Sequence, residues 1–179
     1  MSDPLQQNYF ELYGCPQQFS VDSQLLAQRY LELQQQYHPD RFVTASEEQK
    51  RLSLQWTARV NDAFQTLKQP LLRASYLLTL LGYPLDAADT AMDGDFLLQQ
   101  MELRERLENI AAEADPLQAL DEIRLRLQQD EEALFQRLEQ RFAEGSAHSL
   151  RQAGEDVKQM KFLQRLREEV NEREEQLLG

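Results

Sequence analysis

Residues 26–40 have the sequence LAQRYLELQQQYHPD. Its apolar residues recur at steps of four, three and four, which is the spacing of one buried helix face: Leu26, Tyr30, Leu33 and Tyr37. Pro39 ends this helix, because proline lacks an amide donor and disfavours a helical residue before it. The sequence therefore predicts an amphipathic helix that stops at His38-Pro39-Asp40.

A second amphipathic helix is predicted after a loop over residues 39–45. Ser46 and Gln49 have the spacing of a capping box, and Pro70 marks the end of the helix. The apolar face of this helix consists of Leu52, Trp56, Val60, Ala63, Phe64 and Leu67. Because a short loop makes neighbouring helices antiparallel, the pattern predicts a helical hairpin with the tripeptide at its tip.

Three further helices are predicted beyond a linker at residues 84–94. They run over about 95–113, from Asp115-Pro116 to Gly145, and over about 149–178. The predicted inward residues of the last two are Leu117, Leu120, Leu127, Leu134, Leu138, Phe142, Met160, Leu163, Val170 and Leu177. Short connections predict an antiparallel bundle. The predicted fold class is all-α, with an N-terminal helical hairpin and a C-terminal antiparallel three-helix bundle.

Charge and composition limit the partners and the kinds of site that this chain can have. The net charge is −12, and residues 77–179 hold 23 of the 31 acidic residues but only 12 of the 19 basic ones. This acidic half disfavours nucleic acid and anionic membranes as partners. One cysteine and two histidines give no internal disulfide and no zinc cluster of usual spacing. Without a signal sequence or membrane-length apolar run, we expect a soluble cytoplasmic protein with no cofactor.

The tripeptide His38-Pro39-Asp40 is the strongest candidate site. Taken singly, each residue has a structural explanation: His38 suits a helix C-terminus, Pro39 stops a helix and Asp40 suits a turn. All three in order at an exposed hairpin tip favour a partner-binding site. No nucleophile or second metal ligand accompanies them, so catalysis and metal binding are disfavoured.

The first bundle helix has two apolar stripes. Phe96, Leu103, Leu107 and Ile110 cluster on one side, while Leu97, Leu98 and Met101 cluster roughly 160° away, beside Glu102 and Glu105. A bundle helix needs one inward face, so the second stripe is predicted to be an exposed interaction surface. Alternatively, the apolar segment at residues 71–81 covers part of it.

These features resemble a known family. Residues 8–76 resemble a J-domain, with YFEL at 9–12, the Leu26/Tyr30/Tyr37 face, His38-Pro39-Asp40, AFQTL at 63–67 and RASY at 73–76. Nearly the whole chain resembles the HscB family, the J-proteins of iron–sulfur cluster assembly. That likeness adds LRASYLL at 72–78, FLLQQMELRE at 96–105 and KFLQRL at 161–166.

The resemblance implies a co-chaperone with two partners. His38, Pro39 and Asp40, with Arg29 and Arg41, would bind an HscA/DnaK-type chaperone and trigger its ATPase, so the chain would activate an enzyme without being one. The IscU scaffold protein would bind Leu97, Leu98, Met101, Glu102, Glu105 and Phe162. The implied domains are a J-domain at 1–76, a connecting helix and linker at 77–94 and a scaffold-binding bundle at 95–179. The protein is expected to be a monomer.

This sequence departs from the family pattern at two places. The second helix has few basic residues, with Gln34, Gln35 and Gln36 before Tyr37, which predicts weak electrostatic steering. Asn109 stands where the family often has an acidic residue. Two other functions fit the residues: a J-protein with a different client, and a helical structural adaptor without chaperone activity. Stimulation of a partner ATPase distinguishes the adaptor from the co-chaperones.

Overall fold

The computed structural model describes residues 4–86 and 91–179. Its helices are α1 (Tyr9–Tyr13), α2 (Ser23–Tyr37), α3 (Glu47–Lys68), α4 (Pro70–Leu80), α5 (Gly94–Glu108), α6 (Pro116–Glu144) and α7 (Ala147–Leu178), with 3-10 turns at Pro39–Phe42 and Ile110–Ala112. No strand occurs in these residues, and the predicted all-α fold is confirmed. The chain divides into two compact units, residues 1–80 and 81–179.

The first unit is built on an antiparallel hairpin of α2 and α3. Tyr30 of α2 stacks on Phe64 near the end of α3, with ring centroids 4.2 Å apart. Tyr37 at the end of α2 contacts Trp56 in the middle of α3, at 5.4 Å. The contacts therefore run in opposite orders along the two helices. Asp22 begins α2 by accepting hydrogen bonds from the amides of the first turn.

Helices α1 and α4 complete the core of this unit. The buried apolar side chains are Phe10, Leu12, Tyr13, Cys15, Phe19, Leu26, Val60, Ala63, Leu67, Ala74, Leu77 and Leu78. The hydroxyl of Tyr13 donates to the Val60 carbonyl at 2.8 Å, so this buried phenol is hydrogen-bonded. Burial raises the pKa of Tyr13 well above its usual range. These contacts tie α1 to the middle of α3.

The second unit is a three-helix bundle. Ion pairs between Arg124 and Glu174 and between Arg167 and Glu131 show that α6 and α7 are antiparallel. Its buried apolar core consists of Leu107, Ile110, Ala119, Leu120, Ile123, Leu127, Leu134, Leu138, Leu150, Ala153, Val157, Met160, Leu163, Leu166 and Val170. Across residues 4–86 and 91–179, no helix has the length and apolarity needed to cross a membrane.

The predicted helix ends are mostly confirmed. Ser46 and Gln49 form the capping box of α3, and Asp115 caps α6 with Pro116 in its first turn. Gly145 ends α6 with a φ of 64°, a left-handed conformation that glycine adopts without the steric cost other residues bear.

Four details differ from the sequence predictions. The loop at 39–45 contains a 3-10 turn, and α5 ends at Glu108 because Asn109 caps it. Leu117 is 44% exposed rather than inward, whereas Ile123 is fully buried. Leu117 lies in the first turn of α6, where the inward face begins with Ala119 and Leu120. Residues 87–90 of the predicted linker lie outside the described residues.

Candidate partner-binding sites

The tripeptide lies at the tip of the hairpin. His38 follows α2 and caps the 3-10 turn, because its Nδ1 accepts a hydrogen bond from the Asp40 amide at 3.3 Å. The same nitrogen lies 3.6 Å from Asp40 Oδ2. In the neutral ring this arrangement leaves the proton on Nε2. The side chains of His38 and Asp40 are 55% and 85% exposed, so both can contact a partner.

Aromatic side chains pack against the hairpin tip and hold it in place. The Trp56 ring contacts the rings of both Tyr37 and Phe42, at 5.4 and 6.0 Å. The Thr57 hydroxyl donates to the Tyr37 carbonyl at 3.0 Å, one residue before His38. The backbone on both sides of the tripeptide is therefore anchored on α3, which presents the exposed groups in a defined orientation.

Two arginines were predicted to assist the tripeptide, and the structure separates them. Arg41 follows Asp40 in the 3-10 turn and donates from Nη1 to the Gln35 carbonyl at 3.1 Å. Arg29 lies more than two turns earlier on α2, about 14 Å along the helix axis from His38. It pairs with Glu32 at 2.7 Å, which partly offsets its charge. Only Arg41 is a close neighbour of the tripeptide.

The second predicted surface lies on α5. Leu98 and Met101 are 58% and 67% exposed, and Glu102 and Glu105 are exposed beside them, whereas Leu97 is half-buried. The opposite side of α5 points into the bundle, where Leu107 and Gln100 are buried. The structure therefore places the predicted residues of α5 on one face, with two large apolar side chains in solvent. Such a patch is typical of a protein-binding surface.

Phe162 on α7 is connected to α5 by ring and charge contacts. Its ring meets Phe96 edge-on at 6.0 Å, and the Arg104 guanidinium lies 5.4 Å from its centroid. Arg104 also donates to Glu169 of α7 at 2.6 Å. Arg104 and Glu169, which the sequence reasoning missed, thus fix the position of a half-buried Phe162. Each has the polarity of an ordinary surface residue, so no sequence signal singles out this pair.

The chain is similar to known proteins over nearly its whole length. Residues 92–171 match the family model described as "HSCB C-terminal oligomerisation domain". A co-chaperone HscB homologue from Shewanella baltica is 44% identical over 172 residues, which span 96% of this chain and 99% of the relative. A homologue from Vibrio cholerae is 42% identical over 173 residues, again covering 96% and 99% of the two chains.

Solved structures show the same relationship in three dimensions. The chaperone HscB from Vibrio cholerae superposes with a TM-score of 0.87 at 40% identity, over 96% of this chain and 99% of the other. The human co-chaperone HscB superposes with a TM-score of 0.84 at 32% identity, over 93% of this chain and 81% of the human one. Both matches define an all-α co-chaperone fold. The chain belongs to the HscB family of co-chaperones.

Proposed function

We propose that this chain stimulates ATP hydrolysis by an HscA/DnaK-type chaperone through the hairpin tip and delivers the IscU scaffold held on α5. The observation that carries this proposal is the exposed His38-Pro39-Asp40 turn in a member of the HscB family. The lone cysteine, which is buried as a free thiol, suits action in the reducing cytoplasm.

At the tip, the chain would supply polar groups to the ATPase rather than bind ATP itself. The Nε2–H of His38 is a donor and the Asp40 carboxylate is an acceptor, and the hydrogen bond from the Asp40 backbone amide to His38 Nδ1 orients the imidazole beside that residue. Pro39 begins the 3-10 turn and fixes the backbone φ between them. A preorganised donor and acceptor lose little entropy on binding, which favours a specific contact despite its small area.

The charge around the tip sets the expected strength of that contact. Arg29 is already paired with Glu32, so Arg41 is the main positive charge beside the tripeptide. One arginine gives weak long-range steering toward an acidic partner. A scaffold protein bound to α5 and to the chaperone at once would raise the effective concentration of the tip. We therefore expect stimulation of the ATPase to be strongest when the scaffold is present.

On α5, the scaffold would bury Leu98 and Met101 and meet Glu102 and Glu105 at the rim. An apolar centre with a charged edge matches the usual anatomy of a protein interface. The flexible thioether of Met101 can adapt to the partner surface. The matching surface on the scaffold is then apolar with basic residues around it.

ATPase turnover by the partner chaperone tests the tip. His38→Gln removes the imidazole and is expected to reduce stimulation at least tenfold, with and without the scaffold. His148→Gln is the matched control, because His148 is the other histidine and is exposed at the start of α7. Equal stimulation by both variants, or none by the wild type, would exclude the proposed co-chaperone activity.

Binding of the IscU scaffold tests the α5 surface. The triple variant Leu97→Ala/Leu98→Ala/Met101→Ala removes apolar area at the centre of the proposed interface, so affinity is expected to fall at least tenfold. The control is Leu117→Ala/Leu125→Ala, which removes two leucines that are 44% and 57% exposed on α6. If the triple variant binds as tightly as the control, the client assignment is wrong, and a co-chaperone for another client takes its place.

A further inference from the structure

Arg73 is a buried positive charge. It lies on α4, is only 6% exposed and forms no ion pair with any residue in 4–86 or 91–179. Its Nη1 donates to the Leu67 carbonyl at 2.6 Å, and its guanidinium lies 5.1 Å from the Phe19 ring centroid. Its buried Nε has no hydrogen-bond acceptor in the described residues.

One nitrogen of this guanidinium is open to a ligand. Nη2 donates to no described residue and, unlike Nε, it is not enclosed by the surrounding protein. A charged N–H donor of this kind forms a strong hydrogen bond with a carboxylate oxygen. Burial lowers the pKa of Arg73 to about 10, so the group stays charged at neutral pH and an anion beside it would be stabilised.

Arg73 also lines a cavity between α2, α3 and α4. The cavity measures about 160 Å³ and is lined by Val21, Ser23, Leu26, Ala27, Phe64, Lys68 and Arg73. Four of these lining residues are apolar. Lys68 adds a second positive charge, and its Nζ lies 5.6 Å from the Phe64 ring centroid. Ser23 and Ala27 are exposed, which opens the cavity to solvent.

We propose that this cavity binds a small monocarboxylate, with one carboxylate oxygen on Nη2 of Arg73 and a short hydrocarbon tail against Leu26 and Phe64. The two cationic side chains disfavour a cation as ligand. The apolar walls offer too few donors to satisfy a phosphate, whose oxygens require several. The residues that line the cavity include none from His38–Asp40 or from α5, so its occupancy is testable without either partner protein.

Amide chemical shifts of the full-length chain, titrated with sodium butyrate, test the site. We expect saturable shifts at Val21, Ala27 and Lys68, beyond those caused by sodium chloride at equal ionic strength. 1-Butanol has the same tail without the carboxylate and is expected to bind at least tenfold more weakly. N-acetylvaline places the carboxylate on a peptide-like unit, so saturable binding of it would identify peptide C-termini as a second source of the ligand.

Two variants locate the binding. Arg73→Met removes the guanidinium and is expected to abolish the saturable shifts, but it also removes the hydrogen bond to Leu67. Ala27→Leu fills the cavity from its exposed side and leaves Arg73 intact, so butyrate affinity is expected to fall at least tenfold. The proposal is overturned if butyrate shifts only follow ionic strength, if 1-butanol binds equally well, or if Ala27→Leu binds butyrate like the wild type.

Discussion

Gln100 is a polar residue in an apolar place. It lies on the inward face of α5, one turn before Arg104, and is only 1% exposed. Neither its Nε2 nor its Oε1 has a hydrogen-bond partner in the described residues. An amide buried in this way keeps its desolvation penalty without compensation. Gln100 therefore makes the second unit less stable than an apolar side chain of the same size would.

Replacing Gln100 with methionine is expected to stabilise the protein. Methionine has a similar length and no amide, so the free energy of unfolding should rise by about 1–3 kcal/mol. Urea denaturation followed by circular dichroism measures the change. Gln99→Met is the control, because Gln99 is the exposed neighbour and should change stability by less than about 0.5 kcal/mol. A destabilised Gln100→Met would show that the amide is satisfied in solution.

Asp156 is a carboxylate buried in the bundle. It is 3% exposed and lies between Arg137 and Arg141 of α6. Arg141 Nε is 2.5 Å from Oδ2 but is not aligned for a hydrogen bond, and Nη1 of Arg141 has no partner in the described residues. Burial raises the pKa of Asp156 above its usual value of 3.8, and the two arginines offset only part of that effect.

This raised pKa predicts how stability changes with pH. Between the ordinary pKa of 3.8 and the higher native one, the native state holds a proton that the unfolded state has released. Stability contributed by Asp156 is therefore greatest below pH 3.8 and declines as pH rises through the native pKa. The free energy of unfolding, measured against Asp156→Asn over this range, should show that decline. An increase with pH would mean that the arginine pairs dominate and lower the pKa.

At the scale of elements, periodicity predicted most of the fold. The hairpin followed from Tyr30 and Tyr37, whose rings contact α3 in antiparallel order. Caps at Ser46 and Asp115 were predictable because capping depends on residues within one turn. The two apolar stripes of α5 could be separated by angle alone, and the structure leaves Leu98 and Met101 exposed. Local chemistry was sufficient for these features.

Features that depend on residues far apart in the sequence could not be predicted from it. Arg73 and Asp156 have the polarity of surface residues, and only tertiary packing buries them. Gln100 was passed over because apolar patterns ignore a glutamine at a core position. The 3-10 turn at the hairpin tip was missed because a short turn has no periodicity to detect. The candidate surfaces were therefore predictable, whereas the buried polar groups were not.

For the whole molecule, the uneven charge bears on self-association. Residues 77–179 carry 23 acidic and 12 basic residues, so copies of this unit repel one another. A stable dimer buries at least about 1,000 Å² in total, far more than two exposed side chains such as Leu98 and Met101 supply. We expect a monomer, although the matching family model describes its domain as one of oligomerisation.

Light scattering coupled to size exclusion measures the oligomeric state directly. At physiological ionic strength, the mass should stay near 21.0 kDa across a concentration series. Raising the salt shortens the range of charge repulsion to about 3 Å at 1 M, which tests whether repulsion alone keeps the copies apart. A mass near twice that value at either salt concentration would contradict the expected monomer. If the Leu97→Ala/Leu98→Ala/Met101→Ala variant then returned to the lower mass, the α5 surface would be the self-association interface and would compete with the scaffold.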